Sequence, residues 1–408
     1  MRRLAANRLG QAGSGQAAPT ARRRNAGAAA VSGAVWMVGA RRTPVAPRRG
    51  AFAALEAHQV GAAPIAALVD DLDLPADAVD CVILGNGIYG GGNPARLSAL
   101  AAGLPETVPA MTIDTQCCGG LDAIQLAHGL IGAGAHDVVL AGGVESYSAA
   151  PRRFRRSRTG EADAEYERPP FSPWPERDPD MLEAAALLAR QMGITRQEQE
   201  AFACQSHADA LAARDRLAGE CVPLDGLSQD AFTRPISLKL CARLPVLAGD
   251  AAHGLTSATV AVEADGAAVC AIVSDGFLAA HPNLKPRAIR VVGGLSMGDD
   301  PAMPALAPVA AVRETLARYS MAMDVFDVCE LMEAFAVQAI ACIRVAGFVP
   351  ERTNPGGGAL ARGHPVGASG AINAVRLYHE MLVRPEAAAG LAAIAGAGGL
   401  AATLVLSR

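Results

Sequence analysis

Cys117 has the setting that most invites chemistry. It lies where an apolar run, Ala110 to Ile113, meets a helical pattern that opens with Gly119 and Gly120. Backbone N–H groups and the dipole at a helix start favour a thiolate, and glycines let a substrate come close to the sulfur. A buried structural thiol is the alternative, and it suits Cys81, Cys204, Cys221, Cys241, Cys270, Cys329 and Cys342. A second concentration runs from Asn354 to Gly370 and holds His364 between Gly363 and Pro365. Such a Gly run could cradle phosphate, but it lacks the Lys-[Ser/Thr] of a P-loop and is not a dinucleotide fingerprint. A cysteine nucleophile needs a base of near-neutral pKa, which a histidine on a well-fixed backbone supplies. The other histidines, His58, His128, His136, His207, His253, His281 and His379, read as ordinary surface or core residues.

The elements that must position these two residues follow from the apolar pattern. Strands are expected at Val35 to Val38, Cys81 to Leu84, Ala110 to Ile113 and Asp137 to Leu140, the last ending at Gly142-Gly143. Ala40 to Gly50 reads as a polar loop and Ala63 to Leu72 as a helix with Pro64 in its first turn. Cys81 to Leu84 leads into a turn rich in glycine, from Gly85 and Gly87 to Gly90, Gly91 and Gly92, and a helix opens near Pro94. A helix from Gly119 to about Ala133 carries Cys117 at its entrance. Residues 151–180 are rich in Arg and Pro, helices follow from Asp180 to about Ala218, and strand-like sequence returns near Leu255. That pattern suits an insertion between two strands of one sheet. A second α/β half begins past Pro286, with a strand at Ala288 to Val292 and helices near Ala307 to Arg318, Glu333 to Gly347 and Ala368 to Leu382. Cys118-Gly119-Gly120-Leu121 and Ala368-Ser369-Gly370-Ala371 each open a helix that leads to a buried strand and then glycines, the mark of two related halves.

The composition sets the class. The chain has 408 residues and a net charge of −4, with 51% hydrophobic, 4% aromatic and 19% charged residues, 43 Gly and 26 Pro. That length gives an ample core, and the mild charge argues against a dedicated nucleic-acid binder. Nine cysteines without C-x-x-C spacing form neither a disulfide framework nor a metal site, so reduced thiols and a cytoplasmic setting are expected, with no metal. The uncharged stretch Ala387 to Leu406 has Gly396, Gly398 and Gly399 in its middle, which suits two buried strands about a turn better than a membrane span. Residues 1–32 carry six arginines and no acid, and are read as a disordered or mis-assigned extension outside the fold. A soluble α/β protein is expected.

Several motifs in order resemble the thiolase family across about residues 33–408. Asp114-Thr115-Gln116-Cys117-Cys118-Gly119-Gly120 is similar to its nucleophile motif. Gly357-Gly358-Ala359 through Gly363-His364-Pro365 and Gly367-Ala368-Ser369-Gly370 are similar to its histidine motif. Ala40 to Pro44, Asn93 to Arg96, Ala141 to Ser146, Asp180-Met181 and Glu333-Ala334-Phe335 add to the likeness. The resemblance implies a duplicated five-layer α-β-α-β-α fold with an inserted lid. Its parts would be 33–146 continued at 254–285, a lid at 147–253, and a second half at 286–408. It further implies an acyl-CoA acyltransferase acting on acetyl-CoA or 3-ketoacyl-CoA, with no permanently bound cofactor, in a homodimer or homotetramer. Cys117 would carry the acyl group as a thioester, His364 would activate it, and the N–H groups of Cys117 and Ala397 would form an oxyanion hole. Arg152, Arg153, Arg155 and Arg156 would meet CoA phosphates or form a solvated basic loop.

The departures are informative. The family's second cysteine, an acid/base for carbon–carbon chemistry, falls on Ala395, and no cysteine follows Cys342. The Asn before Glu-Ala-Phe is Met332, and two CoA-contacting positions fall on Thr259 and Ala261. Three functions therefore remain open: a C-acyltransferase whose proton transfer uses His364, Glu333 or water; a thioester transferase or hydrolase without carbon–carbon chemistry; and a non-catalytic scaffold. Glu333 reads equally well as a structural hydrogen-bond acceptor.

Overall fold

The computed structural model describes residues 33–88 and 91–408; the expectations for residues 1–32 and for Gly90 lie outside the described residues. The chain begins with β1 (Val35–Arg42), β2 (Ala46–Pro47), α1 (Ala57–Asp71), β3 (Cys81–Gly85) and α2 (Pro94–Ala101). It continues with β4 (Ala110–Ile113), α3 (Gly119–Gly132) and β5 (Val138–Glu145). The inserted segment holds β6 (Arg153–Arg155), β7 (Ala164–Tyr166), α4 (Met181–Met192), α5 (Arg196–Ala213) and α6 (Leu238–Cys241). After β8 (Ala264–Ser274) and α7 (Asp275–Ala280) come β9 (Ile289–Gly298), α8 (Ala307–Tyr319), β10 (Val328–Leu331) and α9 (Ala336–Ala346). The chain closes with α10 (Ala359–Arg362), α11 (Val366–Val383), β11 (Ala389–Gly396) and β12 (Leu400–Ser407).

The main sheet runs β10-β11-β12-β9-β1-β8-β5-β3-β4, with β2 paired to β8. It contains one pattern twice. β3, β5, β8 and β1 pair parallel, antiparallel and antiparallel, and so do β10, β11, β12 and β9. β4 lies parallel to β3 at one edge, and Thr353 forms a parallel bridge to Cys329 of β10 at the other. The halves meet where Trp36 and Met37 pair with Arg290 and Ile289.

Both faces of the central strands are covered, which explains why β3, β5, β8, β11 and β12 are mostly apolar and buried. Val139 and Ala141 of β5 pack into the core shared with α3 and α11, while Val138, Leu140 and Val144 face the core shared with α1 and α2. α8 and α9 pack with β10 to β12 in a third core. α3 and α11 lie against each other at the centre, close enough that a Cβ on Gly120 would sit 2.3 Å from the Ala371 nitrogen. α4 and α5 of the insertion pack on α9, and α5 also meets α10.

Several expected boundaries move. α1 starts at Ala57 because Glu56 and Gln59 cap it reciprocally, so Pro64 stands mid-helix and not in the first turn. β1 continues to Arg42, into the stretch expected as loop, because β8 offers it a partner as far as Ala268. β5 does not stop at Gly142-Gly143 but runs on to Glu145, since those glycines allow close approach: a Cβ on Gly142 would lie 2.0 Å from the Ala268 oxygen. Near Leu255 there is only a bridge to Ala248, and the strand returns at Ala264. Among the described residues no helix is long and apolar enough to cross a membrane, and Ala389 to Ser407 is an antiparallel strand pair.

Candidate active site

The connection from β4 to α3 is short and tightly held. Asp114 Oδ1 accepts from the Gln116 backbone N–H at 2.9 Å and from its side-chain amide at 3.1 Å. Gln116 then takes a left-handed conformation, φ 55°, a strained choice for a residue with a Cβ. The turn delivers Cys117 in the 3₁₀ segment that leads directly into α3.

His364 arrives from the other half. Gly363 has φ 111°, which only glycine adopts readily, and its absent Cβ lets the loop lie against Ala264. The His364 N–H donates to the Val262 carbonyl at 2.8 Å, which ties the loop beside β8. Its Nε2 lies 3.2 Å from Cys117 Sγ, and its Nδ1 lies 2.6 Å from Ser369 Oγ. The Ser369 hydroxyl gives its single hydrogen to the Pro365 carbonyl at 2.9 Å. It therefore accepts from His364, which places the ring hydrogen on Nδ1 and leaves the Nε2 lone pair facing the thiol.

Electrostatics keep this pair neutral at rest. Burial pushes the Cys117 thiol up to about 12, although the N–H groups of Ala397 and of Cys117 itself act in the opposite direction by bonding to the sulfur. Burial lowers His364 to about 4. Cys117 is half-buried and lines a cavity of about 500 Å³. Ala395, Ala397, Ala261, Ala334 and Phe335 form apolar parts of the cavity wall.

Glu145 is a site residue that the sequence did not single out. It is buried at the end of β5 and accepts from Asn86 Nδ2, Gly87 N and Gly367 N at 2.9 Å each and from Ile88 N at 3.3 Å. One carboxylate thus joins the glycine-rich turn after β3 to the start of α11, two residues past Pro365. Burial raises it to about 7 against the pull of those N–H groups. The available signal is an acid closing an apolar strand.

Glu333 is not brought to the reactive pair. It accepts from Ser206 Oγ at 2.7 Å, Asn354 Nδ2 at 2.6 Å and Leu360 N at 3.3 Å, and it does not line the cavity. Met332 is buried and Thr259 bonds within its own turn, to the Thr256 carbonyl at 3.1 Å. Arg48, Arg152, Arg153 and Arg168 line the cavity mouth, whereas Arg155 stacks on Tyr166 and, like Arg156, is not part of the lining. Among the described residues no group of three or more His, Cys, Asp or Glu could hold a metal ion.

Comparison with known proteins matches the thiolase N-terminal domain over residues 35–275 and the thiolase C-terminal domain over residues 284–408. A putative acetyl-CoA C-acetyltransferase of Bacillus subtilis (strain 168) is 41% identical over 335 residues, 81% of this chain and 87% of that protein. A probable acetyl-CoA acetyltransferase of Escherichia coli (strain K12) is 38% identical, covering 92% of this chain and 99% of that protein. Among solved structures, human mitochondrial 3-ketoacyl-CoA thiolase in complex with CoA superposes with a TM-score of 0.85 at 28% identity, over 92% of this chain and 98% of that one.

Proposed function

Because the chain belongs to the thiolase family of acyltransferases, we propose that it is an acyl-CoA C-acyltransferase that carries its acyl group on Cys117. The observation that carries this reading is the 3.2 Å approach of His364 Nε2 to Cys117 Sγ in a cavity of about 500 Å³. The Cys117 proton passes to Nε2 as the sulfur attacks either the thioester carbonyl of acetyl-CoA, breaking its bond to CoA sulfur, or the 3-keto carbonyl of a 3-ketoacyl-CoA, breaking the C2–C3 bond. The N–H groups of Cys117 and Ala397 stabilise the oxyanion, and the departing CoA thiolate or acetyl-CoA enolate takes the proton from His364. Ser369 holds the ring in the required tautomer. The CoA-bound human relative supports CoA as the carrier. Arg48, Arg152 and Arg168 are ion-paired to Glu263, Glu165 and Asp178, which leaves Arg153 as the cavity arginine without a carboxylate partner among the described residues to meet a phosphate. In the cytoplasm such a protein meets acyl-CoA directly.

Ala395 favours a second reading. The cavity wall there is carbon, and Glu333 is held away from the cavity, so the acceptor carbon has no second base beside it. Thioester exchange or hydrolysis needs only Cys117, His364 and the oxyanion site. Incubation with labelled acetyl-CoA, and separately with a 3-ketoacyl-CoA plus CoA, distinguishes the two. Cleavage or condensation products establish carbon–carbon chemistry, and acylation with exchange or hydrolysis alone establishes the second reading. No acylation of the wild-type protein contradicts both.

A further inference from the structure

We propose that the Tyr147 hydroxyl is a substrate-contacting hydrogen-bond donor in the acyl site, an inference that rests on acylation of Cys117. Tyr147 follows β5 by two residues and lines the same cavity as Cys117 and His364. Its backbone is fixed on both sides. The Ser148 N–H donates to Asp265 Oδ1 at 2.9 Å and the Ser148 hydroxyl to Oδ2 at 2.5 Å, while Ser146 Oγ accepts from Ala149 N at 3.1 Å. The ring is thus carried on a turn held by hydrogen bonds to Asp265 and within residues 146–149.

The hydroxyl itself has no hydrogen-bond partner among the described residues, and it is not one of the sealed polar atoms without a partner. A hydroxyl that is neither bonded nor sealed keeps accessible surface, and the cavity is the space this side chain lines. Tyr378 donates to the Arg287 carbonyl at 2.8 Å and Tyr319 to the Gly294 carbonyl at 3.4 Å, so their hydroxyls complete the fold. Tyr166, which also lines the cavity with no hydroxyl partner among the described residues, is carried on β7 with Arg155 over its ring. A phenol with a free donor at a cavity wall is the pattern of a ligand contact, because an unmatched donor gains its bond only when something binds.

Burial, with Cys117, Glu263 and Glu145 as neighbouring acids and Arg48 acting oppositely, holds the phenol well above its usual range, so it stays protonated and donates. On the proposed reading, the N–H groups of Cys117 and Ala397, which lie against the sulfur, take the carbonyl oxygen of the acyl group. Tyr147 is therefore free for a different polar atom of the bound acyl-CoA. Beside Ala334, Phe335 and Ala395 in the cavity wall, it supplies a hydrogen bond that those residues cannot.

The test is Tyr147→Phe, which removes one oxygen and keeps the ring. Two rates are measured on each protein: acylation of Cys117 by acetyl-CoA, followed by intact mass, and alkylation of Cys117 by iodoacetamide, which needs no acyl-CoA contact. The expected result is acylation slowed about five- to tenfold with alkylation unchanged. Equal acylation in both proteins overturns the inference, as does a parallel loss of both rates, which marks a packing role. Wild-type protein that alkylates but is never acylated overturns the reading of the site itself, and this inference with it.

Discussion

Two connections occupy the same place in the two halves and do opposite work. After β4, residues 114–118 lead into α3; after Thr353, residues 354–365 lead through α10 into α11. Each leaves a strand position parallel to its neighbour, and each contains one non-glycine residue in the left-handed region, Gln116 at φ 55° and Asn354 at φ 50°. The first is short and ends on a thiol. The second is longer, and Asn354 clasps Leu331 through its N–H at 2.7 Å and its carbonyl at 2.9 Å, leaving a glycine-lined path that ends on an imidazole. Neither half owns a reactive pair. Packing α3 on α11 brings the two ends to 3.2 Å, so duplication supplies the meeting point and divergence of the two connections supplies the chemistry.

The comparison breaks most visibly at the second connection. His364→Ala should lower acyl transfer by about 10²–10⁴-fold and slow alkylation of Cys117 by iodoacetamide with it, because both need the thiol proton removed. The wild-type pH profile carries the same information. With His364 lowered to about 4, the ring is neutral above that value and charged below it, so loss of the base should appear only as pH passes through 4, while Glu145, raised to about 7, is the site-bracing group that titrates between about pH 8 and 5. A rate that falls near pH 6.5 in the wild type and in Glu145→Gln alike would show that burial does not set the base.

A different face of α11 tests whether stability and chemistry are separable. Arg376 pairs with Glu220 at 3.0 Å and with Glu380 at 3.5 Å, and Arg42 reaches the same Glu220 at 2.6 Å. Burial alone would raise Glu220, but Arg376 and Arg42 hold it down to about 2. Burial with counter-charges makes a fixed ion cluster here, whereas burial without them makes a neutral pair at Cys117. Arg376→Ala leaves Glu220 to Arg42 alone and should cost about 1.5–3 kcal/mol in urea unfolding, with the folded fraction still acylated. Ser369→Ala should have the smallest effect, slowing kcat about tenfold with KM and unfolding midpoint little changed, because it releases the tautomer and removes no charge.

Local pattern was enough for the strands and helices that carry Cys117, because β4, the glycines and α3 are contiguous in sequence. It was enough for His364 only through the glycines and proline that fix its loop, and the pairing itself needed the family resemblance. What escaped is long-range. Glu145 binds Gly367 across 222 positions, Arg42 reaches Glu220 across 178, and Tyr147 matters because no partner meets its hydroxyl. Pro64 was misplaced because the Glu56–Gln59 cap outweighs the tendency of proline to mark a first turn.

The most direct test of the account is the intact mass of the protein after brief exposure to acetyl-CoA, followed by peptide mapping. The wild-type chain should gain one acetyl group on the peptide carrying Cys117, labile to hydroxylamine as a thioester is, and Cys117→Ala should gain none. An adduct that persists in Cys117→Ala, or a wild-type protein that never gains one, would contradict it.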